Sequence, residues 1–276
     1  GTTNFILSKM RDEGLDFVAA LAQAQALGYA EADPTFDIEG IDAAHKLTLL
    51  AANAFGMPLR FADAQVEGIT ALQGLDVACA EQLGYRIKLL GVARRQASGV
   101  ELRVQPALVP ADHLMAHVKG SMNAVMVKSD AAGLTMYYGA GAGSEQTASA
   151  VIADLVDVAR LDGVDAAQHV PHLGVHAHAT NALSVLPRAA VDTSHYLRVP
   201  VHAVGQIQAV TACLAAQKVP VRQVALAAEC SGTGPQVLVL TGPVVQGALD
   251  LAVHALQARN EVAGPVVTLR VEALEG

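Results

Sequence analysis

"HYLRVPVHAVGQIQAVTACLAAQ", residues 195–217, changes from a strand pattern to a helix pattern within one short stretch. "HYLRVPVHA" reads as a strand and "GQIQAVTACLAAQ" as a helix. Strand "VRQVALAAE", an "SGTG" turn, strand "QVLVLTG", helix "VVQGALDLAVHALQ" and strand "VVTLRVEAL" follow. This βαββαβ order predicts the ferredoxin-like plan, an antiparallel sheet with two helices on one face. Residues 194–276 have the length of one small domain.

Upstream, residues 161–193 hold several Pro, Gly and His residues with weak periodicity and read as a linker. Residues 1–160 read as a mixed α and β unit. "GLDFVAALAQAQALGYA" has helical spacing through Leu15, Ala19, Leu21 and Leu27, with Gly28 placed to stop it. A loop through Asp33-Pro34 leads to a helix expected from about Ile38 to Phe55. "GVELRVQPALV" alternates as a strand after a Ser98-Gly99 turn, and "NAVMVKSDAAGLTMYYG" reads as a hairpin. "GAGAG" and a helix, "SEQTASAVIADLVDVARL", close the unit. The fold class is therefore α/β (α+β), a mixed-sheet domain followed by a βαββαβ domain. No internal repeat is visible.

With 276 residues the chain holds one large domain or two ordinary ones. No apolar run reaches the roughly 18 residues of a membrane span, and no cationic, apolar signal peptide is present. The expectation is a soluble, cytoplasmic protein with no membrane partner. Cys79, Cys213 and Cys230 are far apart, without metal spacing, and read as buried thiols in a reducing compartment. A net charge of −8 and no Lys/Arg cluster argue against nucleic acid as partner. The chain starts at Gly1 without an initiator Met, which suggests that something has been removed from the front.

Charge is scarce, at 16% of residues, yet "GYAEADPTFDIEGIDAAHK" (28–46) sets Glu31, Asp33, Asp37, Glu39 and Asp42 before Lys46. Helix formation explains part of this. Asp37 fits an N-cap, Glu39 a first turn, and Asp42 and Lys46 an i,i+4 pair. Two features point further. Lys46 is one of six lysines, and its surroundings, "DAAHKLTLLAANAF", are small and apolar, as on a buried helix. A partly buried lysine needs a nearby carboxylate to stay charged. Glu31 lies outside the helix, where a loop can turn its carboxylate back, and such a pair can move a proton and bind an amine.

"GTTNFIL", "LGYAEADPTFDIEGIDAAHKL" and "GAGAGSEQTASAV" together resemble homoserine dehydrogenase over about residues 1–160. Members interconvert L-aspartate 4-semialdehyde and L-homoserine with NADPH or NADH, on the route to threonine and methionine. The resemblance implies that Lys46 gives a proton to the nascent alkoxide. It implies that Glu31 and Asp42 bind substrate, Glu31 through the α-ammonium, with Asp37, Tyr29 and Thr2 as secondary positions. Phe36 stands where some members carry an acid. An ammonium near the reacting oxygen suits this chemistry, because hydride delivery to an aldehyde leaves negative charge there.

"GAGAG" (139–143) by itself is a glycine-rich strand-to-helix turn without GxGxxG spacing. The resemblance places a cofactor contact at Gly143, for NADP or NAD. It also implies an N-terminal Rossmann domain ahead of "GTTN", bringing the GxGxxG, a second lysine and most of a sodium site. This chain carries none of these, so the expectation is a catalytic and regulatory part whose cofactor and sodium are bound elsewhere.

The βαββαβ unit stands where many homoserine dehydrogenases carry an ACT domain, a regulatory module that binds amino acids between paired copies. Its first loop, "HAVG" (202–205), keeps Gly205 but lacks the acid and proline of the usual pattern. Amino-acid effector binding and plain homodimerisation are both open. His169, His172, His176 and His178 could supply zinc ligands, but no carboxylate or cysteine sits at a recognised spacing, so linker histidines are expected. The alternative to the enzyme is a non-enzymatic module that binds an amino acid or pairs subunits and retains the site as inheritance.

Overall fold

The computed structural model describes residues 1–141, 143–165, 168–169, 171, 173–227 and 234–274. Helices α1 (Thr2–Asp12), α2 (Phe17–Ala26), α3 (Thr35–Ile38) and α4 (Ile41–Phe55) open the chain. Strand β1 (Gln65–Val66) and helix α5 (Gly74–Gln82) lead to a long hairpin of β2 (Tyr85–Gln96) and β3 (Gly99–Pro110). A second hairpin, β4 (Met122–Ser129) and β5 (Gly133–Ala140), precedes helix α6 (Ser144–Leu161). The rest runs β6 (Asp192–Pro200), α7 (Ile207–Ala216), β7 (Val221–Leu226), β8 (Gln236–Thr241), β9 (Val244–Val245), α8 (Gln246–Gln257) and β10 (Val267–Val271). Ser231, Gly232 and Thr233 of the "SGTG" turn and Cys230 lie outside the described residues.

One mixed sheet passes through both ends of the chain, in the order β1-β3-β10-β6-β8-β7. Within residues 192–271 the order β10-β6-β8-β7 is fourth, first, third, second, and every pair is antiparallel. The last strand then pairs in parallel with β3, Arg270 opposite Ala107 and Val271 opposite Leu108. β2 occupies the other edge of β3 along its whole length. On one face, α7 and α8 bury Leu214, Leu249 and Leu256 against Leu197, Val199 and Val239. On the opposite face, α1, α2 and α5 bury Ile6, Ala20 and Val77 against Ile87, Leu108, Tyr196, Leu238 and Leu269. The sheet of residues 192–271 is thus covered on its second face by helices from the first 82 residues.

Several local expectations change. The helix drawn from Ile38 to Phe55 is two helices, because Gly40 adopts a left-handed φ of 77° and breaks the run. Asp37 lies inside the single turn of α3 and is no N-cap; Gly40 holds that place for α4. Glu39 ends α3, and the acid that meets the first-turn dipole of α4 is Asp42. The buried face of α2 is Ala20 and Ala24, while Leu27 falls beyond its end and is exposed. β3 is buried on both faces for most of its length. Residues 161–193 include two single 3-10 turns, and Val185 bridges to Val100 of β3. Cys79 and Cys213 are buried.

Two sets of buried charge cross between the early and late strands. Arg198 of β6 donates to Asp76 of α5 at 2.7 Å. On the α8 side, Glu101 and Glu272 share Arg94, Arg103 and Arg270, and all but Arg94 are buried. Breaking one member of such a set leaves uncompensated buried charge. Glu101→Gln should therefore lower the unfolding free energy by about 3–5 kcal/mol in urea titrations. Arg94→Gln, at the half-exposed end, should cost under about 1 kcal/mol.

His195 is buried beside this set, its Nε2 3.1 Å from Gln246 Oε1, and burial pushes its pKa down to about 4. The unfolded chain therefore takes up a proton near pH 6.5 that the folded chain refuses until about pH 4. The stability that neutral His195 provides is complete above pH 6.5 and is lost as pH falls from 6.5 towards 4, on the order of 3 kcal/mol in all. His195→Gln should flatten that part of the stability–pH curve.

Candidate active site

The site is built where the start of α1, the 28–34 loop and the start of α4 meet. Gly28, with φ of 73°, turns the chain after α2, and Thr2 Oγ1 then donates to the Tyr29 carbonyl at 2.6 Å. The Tyr29 ring packs on Phe5 with centroids 5.0 Å apart. Asp33 accepts from Thr35 N and Oγ1, at 3.1 and 2.6 Å, and those bonds hold its carboxyl below the usual range. Asp33 thus starts α3. Glu39 is pressed against Gly68, whose added Cβ would lie 2.5 Å from Glu39 Cα. These two acids serve the local fold.

The other acids face outward. Asp42 Oδ2 accepts from Lys46 Nζ at 2.6 Å, the side chains being 34% and 70% exposed. Lys46 is therefore not partly buried as its neighbours suggest. Ala44, Leu47, Ala51 and Ala52, with Thr48, take the buried face of α4, and Lys46 lies on the other. Lys46 and Asp42 thus form one exposed pair at the start of α4, and Asp37 precedes them on α3. Glu31 is exposed two residues beyond Tyr29, and its carboxylate forms no ion pair with another described residue. The structure therefore joins Lys46 to Asp42 and Thr2 to Tyr29, and leaves Glu31 facing solvent.

The glycine loop reaches the same place through a residue the sequence reading passed over. Asn123 Oδ1 accepts from the Gly1 nitrogen at 2.7 Å, and a Cβ on Gly141 would lie 2.5 Å from Asn123 Nδ2. Gly143 caps α6 with φ of 134°, where any side chain would be strained and would strike Gln146. Ala142 lies outside the described residues. Gly141 and Gly143 thus present backbone without a side chain at close approaches to Asn123 and Gln146. Among the described residues no group of His, Cys, Asp and Glu could hold a metal. His176 and His178 stack on each other with centroids 5.4 Å apart, and His172 lies outside the described residues. No described helix is long and apolar enough to cross a membrane.

The sequence profile of the homoserine dehydrogenase family matches residues 1–156. The homoserine dehydrogenase of Pseudomonas aeruginosa is 52% identical over 99% of this chain and 64% of its own length. That of Neisseria gonorrhoeae is 46% identical over 99% of this chain and 63% of its own. The crystal structure of a homoserine dehydrogenase from Thiobacillus denitrificans superposes with a TM-score of 0.92 at 50% identity, over all of this chain and 63% of that one. The chain accordingly spans just under two thirds of the length of these relatives. It belongs to the homoserine dehydrogenase family.

Proposed function

We propose that this chain carries the substrate-binding and proton-transfer half of a homoserine dehydrogenase, an NAD(P)-dependent oxidoreductase of amino-acid biosynthesis that interconverts L-homoserine and L-aspartate 4-semialdehyde. The observation that carries this reading is the exposed Asp42–Lys46 pair at 2.6 Å on α4, with Asp37 just ahead of it on α3. A bound nicotinamide supplies or accepts the hydride. Lys46 gives its proton to the substrate oxygen as negative charge develops there, and Asp42 keeps the ammonium pointed at that oxygen. Glu31, whose carboxylate forms no ion pair among the described residues, takes the substrate α-ammonium, and Asp37 adds negative potential around it. Thr2 and Tyr29 fix the loop that carries Glu31. Gly143 and its neighbours meet the nicotinamide edge, and the segment by which the relatives exceed this chain binds the rest of the dinucleotide and any sodium.

The division we propose is a catalytic and dimerisation part over residues 1–160, a connector over 161–193 and an ACT-like part over 194–276. The exposed Val125, Val127, Tyr137 and Tyr138 of the β4–β5 ribbon support homodimerisation through that part. The reading is tested by joining this chain to the nucleotide-binding segment of a relative and assaying homoserine-dependent reduction of NAD(P)+. Glu31→Ala in that enzyme should raise KM for homoserine about tenfold or more, since a charge-assisted contact is lost. A folded product with no homoserine oxidation would overturn the reading.

The ACT-like part is expected to bind threonine weakly or not at all. Its first loop carries no acid; instead Gln206 Oε1 closes it by accepting from the His202 and Ala203 amides at 2.8 and 3.0 Å. Calorimetric titration should show no saturable threonine site tighter than about 1 mM.

A further inference from the structure

Lys88 lies in the interior and plays no part in the chemistry above. It is on β2, 5% exposed, and forms no ion pair among the described residues. The charged groups around it are mainly cations: Arg11 and Asp12 of α1, Arg86 of β2, and Lys119. A buried ammonium without a carboxylate is costly, and burial lowers this amine's pKa to about 8. Such a group calls for a reason to be there.

Its hydrogen bonds supply one. Lys88 Nζ donates to Asn4 Oδ1 at 2.8 Å and to the Val118 carbonyl. Asn4 Nδ2 in turn donates to the Gly120 and Met122 carbonyls at 2.9 and 3.2 Å. Ser8 Oγ ties the same loop, donating to the Asn4 carbonyl and accepting from Gly120 N. One residue further on, Asn123 abuts Gly141 of the glycine loop. A connected path therefore runs from the interior lysine to the rim of the candidate site. A neutral amine keeps two N–H groups, so both bonds survive deprotonation.

We propose that Lys88 is a positioning residue for the dehydrogenase reaction: through Asn4 it sets the 118–123 loop, so that Asn123 is held against Gly141 of the glycine loop. This deepens the functional reading and rests on it. Misplacing reacting groups by about an ångström can cost on the order of 100-fold in rate.

The test compares Lys88→Met and Lys88→Arg in the complete enzyme, with amide exchange followed on both this chain and the enzyme. Lys88→Met should lower kcat by about tenfold or more at saturating substrate and cofactor. Exchange should rise locally at residues 119–123 while α8 keeps its protection. Lys88→Arg keeps donors in place and should recover part of both. Wild-type kcat in folded Lys88→Met, or exchange raised uniformly with no excess in the loop, would overturn the proposal. Should Lys88→Met fail to fold, Asn123→Ala cuts the same path at its outer end, and an unchanged kcat there would be equally adverse. A wild-type enzyme that fails to oxidise homoserine would instead count against the functional reading, and the exchange result on this chain would stand apart from it.

Discussion

The 276-residue chain assayed by itself should show no measurable turnover of homoserine or aspartate semialdehyde. Hydride transfer requires the nicotinamide to be held about 3–3.5 Å from the carbon it reacts with. That alignment draws on a phosphate-binding turn and a ribose carboxylate of the dinucleotide-binding fold. This sequence has no GxGxxG, and the glycine loop it does have, Gly139–Gly143, lacks a helix-terminal phosphate cradle of that spacing. One edge contact to a nicotinamide cannot replace the binding of two phosphates and two riboses. Joining the segment by which the relatives exceed this chain should restore turnover. The measurement is NAD(P)H absorbance with the chain alone, and then with the segment fused or added in trans. Robust oxidation of NAD(P)H by the chain alone would mean that the dinucleotide is held by residues not considered above.

Much of the fold was legible where one local signal dominates. The α6 helix matches the 144–161 run, and the β4–β5 hairpin turns between Ser129 and Gly133 as its composition indicates. Helix α2 ends at Gly28 for the expected reason, a left-handed backbone. What was not legible is set by contacts far apart in sequence. β3 carries Glu101 and Arg103 within an apolar run, which reads as a half-solvated strand. Both are buried, because Arg94, Arg270 and Glu272 from elsewhere complete the charge set. The parallel pairing of β10 with β3 has no signature in either strand. The break between α3 and α4 was visible only as Gly40, and a lone glycine in a helical pattern is ambiguous.

The site divided along the same line. The acids that brace the local fold are told apart from the outward-facing ones only by the structure: Asp33 binds Thr35 across the Pro34 cap of α3, and Asp37 is no N-cap. Asn123 and Lys88 could not have been singled out by spacing, since one sits in an ordinary hairpin strand and the other in an apolar strand. A lysine inside "YRIKLLGVA" was the available signal, because lysine is rarely placed on an apolar strand without a partner.

In the complete enzyme, Lys46→Ala should lower kcat by about 100-fold or more, the scale of losing a positioned general acid. The i,i+4 bond to Asp42 at 2.6 Å does not itself provide this effect. As an exposed pair on a helix it contributes only about 0.3–0.5 kcal/mol to stability. The substitution should therefore leave the melting temperature nearly unchanged, and alanine's high helix propensity favours that outcome. Folding and catalysis are separable at this residue, which makes it a clean probe. The substrate binding proposed for Glu31 is untouched by this substitution, so KM for homoserine should move far less than kcat, the pattern of an interaction made mainly in the transition state. Asp42→Asn keeps a hydrogen-bond acceptor but removes the charge that orients the ammonium, and a smaller loss of kcat is expected, between wild type and Lys46→Ala. A small primary amine in the buffer should restore part of the Lys46→Ala rate if a proton is what the side chain delivers. A Lys46→Ala enzyme with wild-type kcat would remove the lysine from the mechanism, and the outward-facing acids would then have to be reassigned to binding alone.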